Sequence, residues 1–147
     1  MAQHTGNVRP NVVSAYRFMV ELDGMLVAGF SEVSGLTQET ETEEVLEGGL
    51  NQYVHRLPGR TKPQPITLKR GITSTNELWD WYADVVEGRF MRKSGSIILF
   101  NDRDEEFRRW NFYDAYPTKW TGPELNASSS DIAVESIELT HNGLKAL

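Results

Sequence analysis

Acidic side chains come closest to a reactive pattern in this sequence. The glutamates between positions 39 and 47 are Glu39, Glu41, Glu43, Glu44 and Glu47. A glycoside hydrolase needs two carboxyl groups in different surroundings, one protonated and one ionised. A row of glutamates along one polar segment offers no such difference, so the row is interpreted as a surface feature rather than a catalytic pair.

The residues needed for other chemistries are missing or badly spaced. There is no cysteine, which excludes disulfides, thiolate metal sites and a cysteine nucleophile. His4, His55 and His141 lie far apart without ligand spacing, so surface or interface roles are expected for them. Neither a phosphate-binding loop nor a serine-nucleophile motif is present. The sequence therefore predicts no catalytic residue, no metal, no cofactor and no enzyme activity.

The charges are segregated along the chain. Positions 48 to 76 contain no acid, and their bases are Arg56, Arg60, Lys62, Lys69 and Arg70. The net charge of −6 argues against phosphate-backbone binding as the main task. Two interpretations of the acidic and basic blocks stay open. They are a solvated face beside a solvated loop, or complementary surfaces of a protein that associates with itself.

Extended segments dominate the elements that would position these charges. Residues 16–22 alternate apolar and polar side chains before Asp23–Gly24, which predicts a hairpin. Residues 36–46 are polar on both faces but carry three threonines, which favour a strand. Residues 97–100 are apolar on both faces, which predicts a central strand covered on both sides. Pro58–Gly59 and Pro117 are expected to end or bend their strands.

A single helix is predicted between the strands. Ser74 and Glu77 have the spacing of a capping box at its start, and Gly88 can end it. The side chains that form its apolar face are Leu78, Trp81, Tyr82 and Val85, flanked by Trp79 and Val86. Its aromatic face is expected to pack on a sheet inside its own subunit.

These elements predict a mostly β (α+β) protein, an antiparallel β-barrel or sandwich with one amphipathic helix packed on it. At 147 residues, one domain is expected, covering 16–147 and preceded by a flexible arm at 1–15. The N-terminus has no apolar signal region, and the longest apolar stretch is too short to span a bilayer. A soluble protein folded in the cytosol is therefore expected.

Several motifs in order resemble a known family. They are Tyr16-Arg-Phe-Met-Val-Glu-Leu-Asp-Gly24, Phe30-Ser-Glu-Val-Ser-Gly-Leu36, Glu47-Gly-Gly49, Leu57-Pro-Gly59, Ile66-Thr-Leu-Lys-Arg-Gly71, Leu78-Trp-Asp-Trp81, Trp110-Asn-Phe112, Ala115-Tyr-Pro-Thr-Lys-Trp120, Gly122-Pro123 and Glu138-Leu-Thr-His141. Together, from about residue 16 to 144, they resemble the tail tube proteins of contractile phages and phage-tail-like contractile injection systems. Relatives of that family include the ring-forming secreted protein of type VI secretion.

The resemblance implies a structural inner-tube subunit whose copies form hexameric rings stacked into a hollow tube. Implied partners are other copies, a contractile sheath protein, baseplate and terminator proteins, and DNA or effector cargo in the lumen. Neither a cofactor nor membrane insertion by this chain is implied. Assembly is expected in the cytoplasm, as part of a virion tail or a phage-tail-like particle that can be released.

The resemblance also gives the segregated charges two candidate roles, self-assembly or lining the lumen. The residues concerned are Glu39, Glu41, Glu43, Glu44, Glu47, Arg56, Arg60 and Lys62. Pairing between the acidic block of one copy and the basic block of its neighbour is one hypothesis, and an acidic lumen that repels acidic cargo is the other. The alternative function is a monomeric β-barrel binding module with Trp120 and Tyr116 as a ligand platform.

Overall fold

A computed structural model describes residues 13–15, 17–23, 25–27, 29–45, 55–89 and 91–147. The elements in these ranges are β1 (Phe18–Leu22), β2 (Met25–Val27), β3 (Phe30–Ser34), β4 (Gln38–Val45), β5 (His55–Pro63), β6 (Ile66–Gly71), α1 (Glu77–Val86), β7 (Lys93–Phe100), β8 (Glu106–Thr121), β9 (Val134–Thr140) and β10 (Gly143–Ala146). All strand pairs are antiparallel. The predicted fold class, mostly β with one helix, is confirmed. Most of the predicted N-terminal arm lies outside the described residues.

One long strand joins two halves of the main sheet. The strand order is β2-β1-β7-β8-β9-β6-β3, and β10 also pairs with β8. The first part of the 16-residue β8 pairs with β7 and β10, and its last part pairs with β9. Asp114, at the junction, has a positive φ of 53°. A register shift facing it between Lys93 and Gly95 lets β8 turn from one half to the other.

The core lies between the two halves of this sheet. The buried cluster consists of Val20, Leu22, Ile66, Leu68, Leu78, Trp81, Ile97, Phe112, Ala115, Ile137 and Leu139. Strand members alternate along the chain, so one face of each strand reaches the core. Gly95 is needed in β7, because an added Cβ would lie 2.6 Å from the Phe112 ring. Ile97 and Ile98, on opposite faces of β7, are both buried, which confirms the predicted central strand.

Helix α1 ends as predicted but begins differently. Asn76 is its N-cap residue and makes no side-chain capping bond, so the predicted Ser74–Glu77 capping box is wrong. At the other end, Gly88 has a φ of 75° and donates to the Val85 carbonyl. The Arg89 amide donates to the Asp84 carbonyl, which completes a Schellman ending.

The helix buries a narrower face than predicted. Leu78 and Trp81 are buried, but Trp79 and Val86 are exposed by 44% and 68%. Trp79 packs edge-on against Trp120 of β8, with ring centroids 4.8 Å apart. The helix is therefore anchored mainly by Leu78 and Trp81 on adjacent turns, with Trp79 adding a half-exposed contact to β8, while Val86 faces outward.

Neither Pro58–Gly59 nor Pro117 ends its strand, so that part of the prediction is wrong, but the register shifts beside both. β5 continues through Pro58 and Gly59, and β8 continues through Pro117. A proline is tolerated in a strand at an edge or beside a bulge, where its missing N–H removes no ladder bond. The register of β8 and β9 shifts between Pro117 and Lys119, and β5 lies in a sheet of only two strands.

Arg70 is buried rather than part of the basic surface. It is 3% exposed, because strand alternation places it on the same face of β6 as Ile66 and Leu68. Its Nε donates to Glu135 Oε1 over 2.8 Å, and its Nη1 lies 3.3 Å from Glu77 Oε2. Glu135 also accepts from Trp120 Nε1 at 3.1 Å. This network ties β6, β8, β9 and the helix together.

His141 does not have the surface role expected from the sequence. It is buried at the end of β9, and its two ring nitrogens lie 3.0 Å and 2.9 Å from the Gly143 and Gln64 carbonyl oxygens. The ring thus links the β5–β6 loop to the β9–β10 turn. His55 is exposed in β5, and His4 lies outside the described residues.

Candidate assembly surface

The candidate charged residues lie in a hairpin that is separate from the main sheet. Among the described strands, β4 and β5 pair only with each other, and all eight residues of β4 are exposed. An isolated two-stranded ribbon has no core of its own and is marginally stable in water. Glu47, which belongs to the same acidic block, lies outside the described residues.

A bulge divides the hairpin at Gly59. On one side of it, Glu39 faces Lys62, and on the other side Glu44 faces Arg56. Between them the register shifts, and Gly59 and Arg60 together face Glu41. The bulge adds one residue to β5. The residues after it therefore point to the faces opposite to those that strict alternation from Arg56 would give.

The register therefore gives the hairpin two different faces, since directly opposed residues share a face. We name the first the acidic face, and its residues are Glu39, Glu41, Glu43, Val45, His55, Leu57, Lys62 and, in the bulge opposite Glu41, Gly59 and Arg60. We name the second the threonine face, and its residues are Gln38, Thr40, Thr42, Glu44, Arg56, Pro58, Thr61 and Pro63. Three of the four described glutamates of the acidic block thus lie on one face.

The acidic and basic blocks meet within one chain. Lys62 Nζ lies 3.1 Å from Glu41, and Arg56 Nη2 lies 3.8 Å from Glu44. All four side chains are more than half exposed, so each pair contributes only about 0–1 kcal/mol. The sequence-based hypothesis paired these blocks between neighbouring copies. In the structure Glu41 and Glu44 already have basic partners in their own hairpin.

Charge balance differs between the two faces. On the threonine face, Glu44 and Arg56 compensate each other, and the Thr40 and Thr61 hydroxyls are hydrogen-bonded at 2.9 Å. On the acidic face, the two bases Lys62 and Arg60 lie among three glutamates. Within the described ranges, Glu39 and Glu43 form no ion pair, nor does Arg60 in the bulge.

A second charged cluster crosses the outer surface of the main sheet. Arg109 Nε donates to Glu106 over 2.7 Å, and its Nη1 lies 3.4 Å from Glu21. The hydrogen bond to Glu106 raises the pKa of the Arg109 guanidinium, partial burial opposes that rise, and Glu21 adds to it. Because the group stays charged, this cluster fastens β1 to β8 and has no acid–base chemistry of its own.

The geometry leaves little room for the aromatic platform of the alternative function. Trp120 is occupied by Trp79 and by its hydrogen bond to Glu135. The guanidinium carbon of Arg92 lies 4.8 Å from the centroid of the Tyr116 ring.

Across the described ranges no group of three or more His, Cys, Asp or Glu could hold a metal ion. No helix in that part of the chain is long and apolar enough to cross a membrane.

Comparison with known families agrees with this architecture. A family model described as T4-like virus tail tube protein gp19 matches residues 14–145. Because the match covers nearly the whole chain, the protein belongs to this tail tube family. No curated protein sequence is significantly similar to it.

Solved structures of tube proteins share the fold. A chain in the PVC sheath–tube complex of an extracellular contractile injection system is 32% identical, with 92% of this chain and 91% of that chain covered and a TM-score of 0.84. A chain in the anti-feeding prophage cap is 29% identical, with coverages of 100% and 99% and a TM-score of 0.87. Hcp1 from Flavobacterium johnsoniae, at 18% identity, coverages of 88% and 93% and a TM-score of 0.60, shares the fold alone.

The hairpin residues are predictable from the sequence, but the two faces of the hairpin are not. The sequence-based candidates at positions 39–44 and 56–62 do lie together in β4 and β5. The division into an acidic and a threonine face depends on the bulge at Gly59, which period-2 alternation does not reveal. The Pro58–Gly59 pair was the available signal, because glycine inside a strand pattern indicates a bulge as well as a turn.

Proposed function

We propose that this protein is the inner-tube subunit of a contractile injection machine, and that its copies form hexameric rings stacked into a hollow tube. Membership of the tail tube family supports this, as does the likeness to a chain of an extended sheath–tube complex. The main observation in favour of ring formation is the exposed β4–β5 hairpin. All of β4 is exposed, and neither strand of the hairpin pairs with another described strand, so its edges are available to a second copy.

The other proposed partners follow from where similar chains are found. One relative comes from a sheath–tube complex, and another, 31% identical, from a sheath and tube terminator complex. Contacts with a sheath protein, a terminator and a baseplate are therefore proposed for this chain too. Assembly in the cytoplasm as part of a phage tail or an extracellular particle belongs to the same proposal.

A purely structural role is proposed, without a catalytic step or cofactor. The tube would be a passive conduit for DNA or protein effectors when the sheath contracts. Its wall would have to be rigid and non-adhesive, which suits a sheet closed through neighbouring copies and a polar lumen.

Electron microscopy and size-exclusion chromatography of the purified chain test this function. Rings or tubes with sixfold end views are expected. A single particle of about the mass of one chain, 16.7 kDa, at all concentrations would favour a monomeric binding module instead.

A division of labour within the chain is also proposed, with 16–147 as the tube domain and 1–15 as an arm that contacts the next ring. Residues 1–15 lack an apolar pattern that would bury them in their own subunit. Deleting residues 2–10 should therefore leave rings but shorten tubes, as measured by micrographs of both preparations. Tubes of normal length from the deletion would contradict the proposed role of the arm.

A further inference from the structure

We infer, given the proposed tube, that the hairpin has a defined orientation: its threonine face packs against a second copy, and its acidic face borders the water-filled channel. Membership of the family does not by itself say which side chains of this chain face which surroundings. The register of β4 and β5 and the ion pairs of the hairpin supply that distinction.

The threonine face costs less to bury than the acidic face, although its one ion pair would lose water. Its two charged residues, Glu44 and Arg56, are directly opposite each other and already paired. The Thr40 and Thr61 hydroxyls share one hydrogen bond, so one of the two O–H donors is already used. The remaining residues are neutral, and β-branched side chains pack well on a pleated surface. This face can therefore meet a neighbour without leaving an unpaired charge.

Burying the acidic face would cost more free energy, because it carries unpaired carboxylates. Lys62 lies 3.1 Å from Glu41, but Glu39 and Glu43 have no ion-pair partner in the described chain. Removing an unpaired carboxylate from water costs more than packing returns. Water must therefore stay in contact with this face after assembly, and a hollow tube provides such water along its channel.

A second copy is the occupant that fits the threonine face. All eight residues of β4 are exposed, so the described part of the chain does not cover them and the cover must come from another molecule. In an assembly of identical chains, each copy can supply the cover for the next one in a repeated head-to-tail contact that closes into a ring. Three glutamates outnumber Lys62 and Arg60 on this face. Repeated around the ring, this excess of negative charge would also give the channel a negative potential, which weakens adhesion of polyanions.

Single-cysteine labelling tests the orientation directly. The chain has no cysteine, so each variant carries one thiol. The variants Thr40→Cys and Thr42→Cys probe the threonine face, and Glu39→Cys and Glu43→Cys probe the acidic face. Each is co-assembled with an excess of wild-type chain, so that a weakly assembling variant still enters tubes. The rate of labelling by a small maleimide is then compared between tubes and the dissociated chain.

The expected result alternates along β4. The threonine-face thiols should react at least about tenfold more slowly in tubes than in the dissociated chain, because labelling then requires local opening. The acidic-face thiols should react at similar rates in both. The opposite alternation, or equal protection on both faces, would overturn the inferred orientation while leaving the tube intact. Absence of tubes from the wild-type chain would instead overturn the proposed function and the orientation that rests on it.

Discussion

Arg70 of β6 and Glu135 of β9 form a buried ion pair, with 2.8 Å between Nε and Oε1. The alternation of β6 places position 70 inward with Ile66 and Leu68, but its charge and its basic neighbours suggested the surface. Its carboxylate partner lies 65 positions away on β9, and no local pattern reveals that pairing. The alternation was visible in the sequence, whereas the compensating charge was not. Predicting a buried cation requires both the strand alternation and the position of the carboxylate that compensates its charge.

Substitution of Arg70 by methionine should strongly destabilise the subunit. Glu135 would remain buried without its cation, and breaking a buried pair in this way costs about 3–5 kcal/mol. The neighbouring Lys69→Met is a matched control, since its pair with Glu32 is exposed and contributes about 0–1 kcal/mol. Urea unfolding of both variants measures the difference. Equal urea midpoints for the two variants would show that the buried ion pair stabilises the subunit no more than the exposed pair does.

At the scale of elements, the helix and the apolar strands were predictable because their patterns are local. The Schellman ending at Gly88 and the burial of Leu78 and Trp81 follow from spacing alone. The strands through Pro58 and Pro117 were not predictable, because a proline in a strand depends on which edge is free and where the register shifts. Those facts belong to strand pairing, which sequence periodicity does not contain.

Helix α1 should act as an internal brace of its subunit. Trp81→Ala removes a buried aromatic side chain and should lower the free energy of unfolding by about 3–5 kcal/mol. Val86→Ala on the same helix removes a side chain that is 68% exposed, so a change within about 0.5 kcal/mol is expected. Thermal unfolding of the two variants checks both values. Wild-type stability of Trp81→Ala would show that this helix face does not hold the subunit together.

The bend of β8 at Asp114 should depend on its backbone conformation. A left-handed φ of 53° is strained for most residues but available to glycine and tolerated by aspartate. Asp114→Ala should therefore be less stable than Asp114→Gly by about 1 kcal/mol, the reverse of their usual order in a strand. Denaturant unfolding of the pair gives the difference. If alanine is the more stable of the two, this conformation does not govern the bend.

For the whole molecule, the sequence predicted the fold class but not the way the strands close. The order β2-β1-β7-β8-β9-β6-β3 joins segments far apart in the chain, such as β3 with β6 and β1 with β7. Periodicity describes each strand alone and contains no information on such pairings. The expectation of a barrel-like tube subunit therefore came from the ordered motifs of the whole chain, and the family match now confirms it.

Charge reversal in the hairpin can distinguish ion pairs within one chain from ion pairs between copies. Reversal of Arg56, Arg60 and Lys62 to glutamate should impair tube formation, because like charges would then face each other across β4 and β5. The core of the main sheet contains no hairpin residue, so the subunit itself should stay folded. Circular dichroism and thermal unfolding of the dissociated chain provide that control.

Complementation then identifies the partner of each base. Since Lys62 pairs with Glu41 and Arg56 with Glu44 in the same hairpin, adding Glu41→Lys and Glu44→Lys to the triple variant should restore tubes. Mixing the triple variant with a separate chain carrying only the two lysine changes should not, because each chain would keep an unbalanced hairpin. Tube yield by sedimentation measures both.

If the mixture assembles and the combined variant does not, the charges pair between copies, as the segregated blocks first suggested. If the triple variant alone gives tubes in normal yield at all salt concentrations, these charges do not contribute to assembly, and the acidic face serves the channel alone.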